Sequence, residues 1–341
     1  MRKLAAIRKI DGIIPIEGAD KIETAAVGGW KVVCKKGEFK PGDLAVYCEI
    51  DSWIPHAIAP FLSEGEPKEY NQVKGARLRT VRMRGQTSQG LLLPLDVLPK
   101  DILDSGKAVG TDVTEILGIQ LWEPPMDGSV AGDQKGAFPW YVQKTDEERI
   151  QNLADSFEKL KKLTWNVTEK VDGTSFTAFV FEGQFGVCSR NFELKDTAAN
   201  FHWTASKKLR LEEAMKTYSA GNFDFAVQGE LIGEKIQGNC YGIKGQKLLV
   251  FNIYNISEGL FLSWENVEKL CEELKIETVP LVHSTYTIPS EYTMDSLIQF
   301  ADGPSALCNK RREGLVFKDA GRTNSFKIIS NKYLEKQRDN A

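Results

Sequence analysis

Thr168-Glu169-Lys170-Val171-Asp172-Gly173-Thr174 is the run that decides how this 341-residue chain is read. The lysine stands between β-forming residues and is followed by Asp-Gly. Covalent nucleotidyl transfer needs those parts: an amine that can lose a proton, a carboxylate two residues on, and a glycine that lets backbone approach a phosphate. A free lysine amine has a pKa of about 10.4, so nearly all of it is protonated at neutral pH. An apolar strand, a second lysine close by or a divalent cation would each destabilise the ammonium form and lower that value. Taken alone, the pattern also fits a surface turn, with Asp-Gly beside an exposed lysine. Other segments decide between the two.

Composition is that of an ordinary globular protein, 42% hydrophobic and 27% charged, and the length suits about two domains. No apolar run approaches the ~18 residues that cross a bilayer, so no membrane partner is expected. The N-terminal stretch Met1 to Arg8 carries charge without the apolar centre of a secretory signal. Asp11 and Glu17 follow quickly and argue against a mitochondrial presequence without closing that route. The six cysteines are scattered with no Cys-x-x-Cys pair, which fits reduced thiols in the cytoplasm or nucleus better than a disulfide framework or a zinc ribbon. Three histidines far apart offer little for a metal site or a Ser-His-Asp triad. Chemistry here has to run on lysines and carboxylates. The net charge of −3 gives no sign of bulk affinity for nucleic acid, so that question falls to local patches.

Residues 1–118 read as short strands punctuated by turns. Trp30–Cys34 and Leu44–Ile50 are strands on either side of the turn Lys40-Pro41-Gly42-Asp43, with more at Ala76–Met83 and Gln89–Leu93. Many short strands with little helical periodicity predict a small β-barrel. Lys74, Arg77, Arg79, Arg82 and Arg84 crowd into one stretch of it. Arg77 and Arg79 share one strand parity, Arg82 and Arg84 the other, and a bulge between them would bring all four to one side as a phosphate-backbone track. The alternative is a solvated edge strand blunted by charge.

Residues 119–143, broken by Pro124-Pro125, Gly128, Gly132, Gly136 and Pro139, read as a connector. Thr145-Asp146-Glu147-Glu148 then reads as a capping box opening a helix whose apolar face is Ile150, Leu153, Ala154, Phe157 and Leu160. Strands dominate from Trp165 onward, with helices near Ala205–Tyr218, Trp264–Leu274 and Asp295–Ala301.

After Lys170, chemistry-bearing residues recur in order. Arg190, in Cys188-Ser189-Arg190-Asn191, could clamp a phosphate or simply pair with a surface acid. Glu230 interrupts the apolar strand Val227–Ile232, where a carboxylate is costly without a ribose hydroxyl, a hydrated metal ion or a salt-bridge partner. Phe251 lies in the apolar run Leu248–Tyr254 and is either core or a stacking surface for a purine. Glu313 with Gly314 heads another apolar strand ending at Lys318, and Lys327 sits in a third, Ser325–Ile329, where an anion is its natural partner.

The series Lys-x-Asp-Gly, Ser-Arg-Asn, Gly-Glu-Leu, Val-Phe-Asn-Ile, Glu-Gly-Leu-Val, Phe-Lys resembles motifs I, Ia, III, IIIa, IV and V of the covalent nucleotidyltransferases, over about residues 144–335. Ile16–Glu23, the Gly-Trp-Lys-Val-Val run and Gly42–Tyr47 resemble the N-terminal OB domain of RNA ligases of the Deinococcus and Naegleria type. The resemblance implies an α+β protein: an OB-like β-barrel over 1–118 that touches nucleic acid, a linker over 119–143, and a nucleotidyltransferase domain of antiparallel sheets with peripheral helices over 144–341. It implies an ATP-dependent enzyme, a monomer, joining a 3′-OH to a 5′-phosphate at RNA ends, above all in nicked duplexes. Lys170 would take AMP from ATP, pass it to the RNA 5′-phosphate, and let the 3′-OH displace it. Lys170 and Lys327 would be catalytic. Glu169, Asp172, Gly173, Arg190, Glu230, Phe251, Glu313 and Lys327 would line the nucleotide, with Arg149 toward the outer phosphates. Asp172, Glu230 and Glu313 would hold Mg²⁺ or Mn²⁺. Motif V of many relatives has Lys-x-Lys, whereas this chain has Lys327 alone there; Lys318 is the alternative second phosphate ligand. Three rivals share parts of the pattern: a GTP-dependent capping guanylyltransferase, whose OB domain usually follows the catalytic one, a DNA ligase, and an RNA-binding module with a decayed catalytic half.

Overall fold

The computed structural model describes residues 3–63, 65–104, 108–123 and 132–339; Pro124, Pro125 and Gly128 of the expected connector lie outside them. The chain divides into two compact units, Met1–Pro125 with Ile150–Ser156 and Leu334–Ala341, and Met126–Arg149 with Phe157–Tyr333. Among the described residues, no helix is long and apolar enough to cross a membrane.

The first unit contains β1 (Ala5–Lys9), β2 (Gly12–Pro15), β3 (Ile22–Val27), β4 (Trp30–Lys35), β5 (Leu44–Cys48), β6 (Ser52–Pro55), β7 (Lys68–Tyr70), β8 (Val73–Arg77), β9 (Val81–Met83), β10 (Gln86–Ser88), β11 (Leu91–Leu93) and β12 (Gln120–Leu121). They form separate small sheets, ordered β1-β5-β11, β2-β3-β4, β12-β6-β8-β7 and β9-β10. The expected barrel is therefore corrected: no sheet closes among the described residues. Closure needs a continuous, staggered ladder, and these strands are too short to supply one. An isolated bond bridges one of the gaps instead, from Gln89 N–H to Lys31 O at 2.8 Å. β5 explains how such small sheets stay together. Ala45 and Tyr47 pack into one core with Trp30 and Val32, while Val46 and Cys48 pack into another with Ile7 and Ile54. Strand alternation thus lets one strand serve two cores.

The arginine stretch is split by this arrangement. Arg77 ends β8, pairs with Asp51 at 2.6 Å and lies 3.6 Å over the Trp122 ring. Arg79 is exposed. Arg82 and Arg84 belong to the β9–β10 hairpin, whose two-residue turn places Arg84 and Gly85 at φ 48° and 82°. That double positive φ suits a tight hairpin turn, and it points Arg84 into solvent at the tip. Glu335 accepts from Arg82 Nη1 at 3.0 Å and from Thr87 Oγ1 at 2.8 Å. The bulge expected between the two arginine pairs is replaced by a break between strands.

The second unit contains β13 (Gln134–Ala137), β14 (Thr164–Lys170), β15 (Thr174–Phe181), β16 (Gln184–Cys188), β17 (Phe192–Leu194), β18 (Phe225–Gly233), β19 (Gln246–Asn255), β20 (Leu260–Phe261), β21 (Glu277–Thr278), β22 (Leu281–Thr287), β23 (Gly314–Asp319) and β24 (Ser325–Ile329). They make two sheets, β13-β17-β16-β15-β18-β19-β20 with β21 beside β19, and β22-β14-β23-β24. Among the described strands of this unit, every strand pairing is antiparallel except β19 with β21. The helices Phe201–Lys208, Leu211–Gly221 and Trp264–Leu274 cover the large sheet, burying Ala205, Leu211, Met215, Val267 and Leu270 against Phe176, Val180 and Val227. The single helix expected at Ala205–Tyr218 is broken at Arg210, which adopts φ 53°. Under the small sheet, Trp165, Phe317 and Phe326 are fully buried, with the two phenylalanine rings stacked at 4.6 Å.

The capping box at residues 145–148 does not form. The helical turns start only at Ile150, as a 3-10 helix to Ser156 kinked at Leu153, followed by Phe157–Leu160. Residues 143–148 belong to neither helix nor strand, and their carboxylates have stronger partners than helix N–H groups. Asp146 bonds Lys327 at 2.9 Å and Glu147 approaches Lys318 at 3.3 Å. A charged partner outweighs a neutral capping bond.

Candidate active site

Strand register gathers the lysines. Lys170 lies opposite Gly314, Thr168 opposite Val316 and Asn166 opposite Lys318; Val316 in turn lies opposite Lys327. Residues directly across a ladder point the same way, so Lys170, Lys318 and Lys327 share one face while Trp165 and Phe317 fill the core behind it. Glu313 immediately precedes β23 and its Oε2 accepts from Lys170 Nζ at 2.8 Å. β18 delivers Glu230, opposite Ser175. In β19 the register slips between Gln228 and Gly229, leaving Phe251 as the extra residue between Asn252 and Val250. A bulge of this kind re-aims its side chain, and Phe251 is partly exposed in an otherwise buried run.

Asp172 is held tightly. Its carboxylate accepts from the Tyr333 hydroxyl and, at 3.8 Å, from the Cys240 thiol, while its N–H donates to the Tyr241 hydroxyl oxygen at 2.7 Å. Gly173 is required by packing: a Cβ there would stand 2.5 Å from Leu231 O and 2.9 Å from Glu230 Cγ. The glycine thus lets the loop after Lys170 press against β18 beside Glu230.

Electrostatics differ from the expectation of a depressed lysine. Burial alone pulls the Lys170 pKa down and is the largest single influence. The carboxylates of Glu313, Glu230 and Asp172 together outweigh it and raise the value. The neighbouring acids show the reciprocal strain. Burial pushes Glu230 up to about 8 against the pull of Lys170, and burial also raises Glu313. Lys327 is lowered by burial, which Asp146 opposes. Lys318 is lowered to about 8 by burial, with Glu147 opposing and Arg322 adding to the shift.

A second polar layer lies along the same face. Lys327 Nζ and Arg190 Nη2 approach the two oxygens of Asp146 at 2.9 and 3.5 Å. Backbone ties Arg149 beside Lys327 as a parallel bridge, and Lys327 N–H donates to Glu148 O at 2.8 Å. Lys318 Nζ donates to Asn252 Oδ1 at 2.6 Å and lies 5.2 Å from the Phe251 ring centroid; Arg322 also donates to Asn252 Oδ1. Lys318 is thus four positions along the face from Lys170 and turned toward Phe251. Glu169 is on the opposite face, where its carboxylate accepts from Ser305 Oγ at 2.5 Å and Ala306 N–H at 2.8 Å.

Sequence reasoning missed Tyr333, Tyr241, Asn252 and Arg322, and read Asp146 and Glu147 as helix caps. Tyr333 contacts Asp172 from 161 residues away, and nothing local to either announces it.

Among the described residues, no group of three or more His, Cys, Asp or Glu side chains forms a ready metal cage. Asp172, Glu230 and Glu313 nevertheless fit a hard divalent cation. They are oxygen donors around Lys170, and two of them are under-neutralised by it. Mg²⁺ characteristically binds through one or two carboxylates, waters and substrate phosphates instead of a protein cage.

Known proteins share this arrangement. An RNA ligase family model matches residues 163–333, and an OB-fold domain model matches residues 4–95. A Naegleria gruberi RNA ligase mutant with AMP and Mn is 44% identical, with a TM-score of 0.92 over 99% of this chain and 100% of that one. The Naegleria gruberi enzyme with PPi is 44% identical with a TM-score of 0.91 over 99% and 100%. Another mutant of it with ATP and Mn is 43% identical with a TM-score of 0.91 over 99% and 100%. No curated protein matches. The chain belongs to the RNA ligase family, in the Naegleria and Deinococcus branch of the covalent nucleotidyltransferases.

Proposed function

We propose that this RNA ligase seals nicked RNA duplexes with ATP, Lys170 serving as the nucleophile and Mg²⁺ or Mn²⁺ as the metal. The observation that supports it most is the convergence of Lys170 with Glu313, Glu230 and Asp172 on one face that also carries Lys327. The similar Naegleria enzyme was captured with ATP, AMP, PPi and Mn, which supports the same adenylylation chemistry here.

The amine must lose a proton before it can attack. Glu313, which accepts from Lys170 Nζ at 2.8 Å, and the acids beside it favour the ammonium form. Asp172, Glu230 and Glu313 would hold a divalent cation, whose positive charge would offset those carboxylates and favour the neutral amine. Lys170 Nζ then attacks the α-phosphorus of ATP and pyrophosphate leaves, giving a lysyl–AMP phosphoramidate. Lys327 and Arg190 neutralise charge developing on the phosphates, trading Asp146 for the nucleotide; Arg149 serves the outer ones. Glu230 binds the ribose and Phe251 stacks on the adenine. The RNA 5′-phosphate next displaces the lysine, and the 3′-OH attacks that adenylated end and releases AMP. Arg79, Arg82 and Arg84 provide a phosphate-binding surface, while Arg77 is committed to Asp51 and Trp122.

Incubation with labelled ATP or GTP, followed by nicked duplexes ending in ribose or deoxyribose, tests this reading. The expected result is adduct from ATP alone and faster sealing at a ribose 3′-OH. Labelling by GTP, or preference for deoxyribose, would favour a capping enzyme or a DNA ligase.

A further inference from the structure

Trp140 is the most exposed large apolar side chain among the described residues, at 90%; the next, Phe61, is at 66%. It is not on a loose strand. Val142 N–H closes a turn onto Pro139 O at 3.2 Å, placing Trp140 at the tip. Both sides of that tip are anchored. Tyr141 stacks on Phe181 at 4.1 Å and meets Phe179 edge-on at 5.6 Å, and Val142 is buried at 3% exposure. Gln228 Nε2 holds the following carbonyl, Gln143 O, at 2.7 Å. The fold therefore presents an indole rigidly to solvent.

The surroundings indicate what would cover it. At the foot of the turn, Lys144 Nζ lies 5.3 Å from the Phe138 ring centroid and donates to Asn191 Oδ1 at 3.1 Å. Arg190, next to Asn191, is 58% exposed, and its partner Asp146 also bonds Lys327. A solvent-facing aromatic ring on a base of cations that runs on to the site lysine matches single-stranded nucleic acid, where bases stack and phosphates pair with the cations. A protein partner would call for an apolar surround, and the turn's foot is charged.

We propose that Trp140 is a stacking platform for an unpaired or frayed nucleobase of the RNA being joined, with Lys144 and Arg190 meeting the adjoining phosphates. The proposal rests on the RNA-joining reading above. Loss of one such stack typically costs about 1–3 kcal/mol per base.

The test compares Trp140→Ala, Trp140→Leu and Trp140→Phe with the natural protein in self-adenylylation and in sealing of nicked RNA. The expected result is unchanged adenylylation, a KM for nicked RNA raised about 5- to 150-fold in Ala and Leu, and near-natural KM in Phe. Photocrosslinking of nicked RNA carrying 5-iodouridine should mark Trp140. Equal KM in all four proteins without a crosslink would overturn the proposal, as would a changed oligomeric state with unchanged KM, which would assign the indole to a protein contact. Should the natural protein itself seal no RNA, the functional reading fails instead.

Discussion

The two units manage charge in opposite ways. Around Lys170 the lysines are partly or fully buried and each is locked to a carboxylate: Lys170 with Glu313, Lys318 with Glu147, and Lys327 with the more exposed Asp146. In the first unit Arg79 and, at the tip of the β9–β10 hairpin, Arg84 are exposed, and exposed Arg82 shares a surface ion pair with Glu335. Buried pairs are strongly coupled, so each depends on its neighbours and breaking one leaves a desolvated charge. Exposed cations act nearly independently and are screened by salt. The first arrangement suits chemistry on one phosphorus atom; the second suits a polyanion held at many points.

This contrast can be broken by substitution. Lys170→Ala should reduce enzyme adenylylation at least about a thousandfold, since no other group can form the covalent intermediate, while sealing of pre-adenylated RNA persists. Assays on both substrates check it; equal loss on the two would mean that Lys170 holds the site together instead. Lys327→Ala should lower adenylylation by about 100-fold, the scale for removing one electrostatic stabiliser of a transition state, measured as single-turnover transfer from labelled ATP. The triple change Arg79→Ala, Arg82→Ala, Arg84→Ala should raise the KM for nicked RNA about tenfold and flatten its salt dependence, leaving adenylylation intact. A matching fall in adenylylation would erase the division of labour between units.

The weakest expected effect on activity lies in the scaffold. His202 is buried between Phe176 and Phe201, and its Nε2 donates to Ser175 O at 3.1 Å. Burial lowers its pKa to about 4 from an ordinary 6.5. The unfolded chain therefore binds the extra proton first, so this contribution is complete above about pH 6.5 and is lost as pH falls toward 4. A shift of that size is worth roughly 3 kcal/mol at 1.36 kcal/mol per unit. Urea unfolding at pH 7.5 and 5 should show His202→Gln losing less stability on acidification than the natural protein, with adenylylation at neutral pH little changed.

Much of the site was legible because its parts are local. Lys170 with Asp172, Glu230 in an apolar strand and Glu313 before Gly-Leu-Val each carry their chemistry within a few residues. What escaped was set by tertiary partners. Asp146 and Glu147 have the spacing of a capping box, but buried lysines on β23 and β24 outbid the helix N-terminus. Tyr333 lies beyond motif V with no pattern of its own, yet it holds Asp172. The direction of the Lys170 shift depends on three acids that meet only after folding. The open sheets of the first unit likewise reflect strand lengths and breaks, such as that between Arg77 and Val81, which residue alternation alone does not reveal.

The central claim is that one amine captures adenylate. Mass spectrometry of the purified protein after ATP and Mg²⁺ should find an acid-labile AMP adduct on the peptide bearing Lys170, abolished by pyrophosphate. An adduct mapped to Lys318, Lys327 or any other residue, or no adduct from a preparation that still seals RNA, would contradict it.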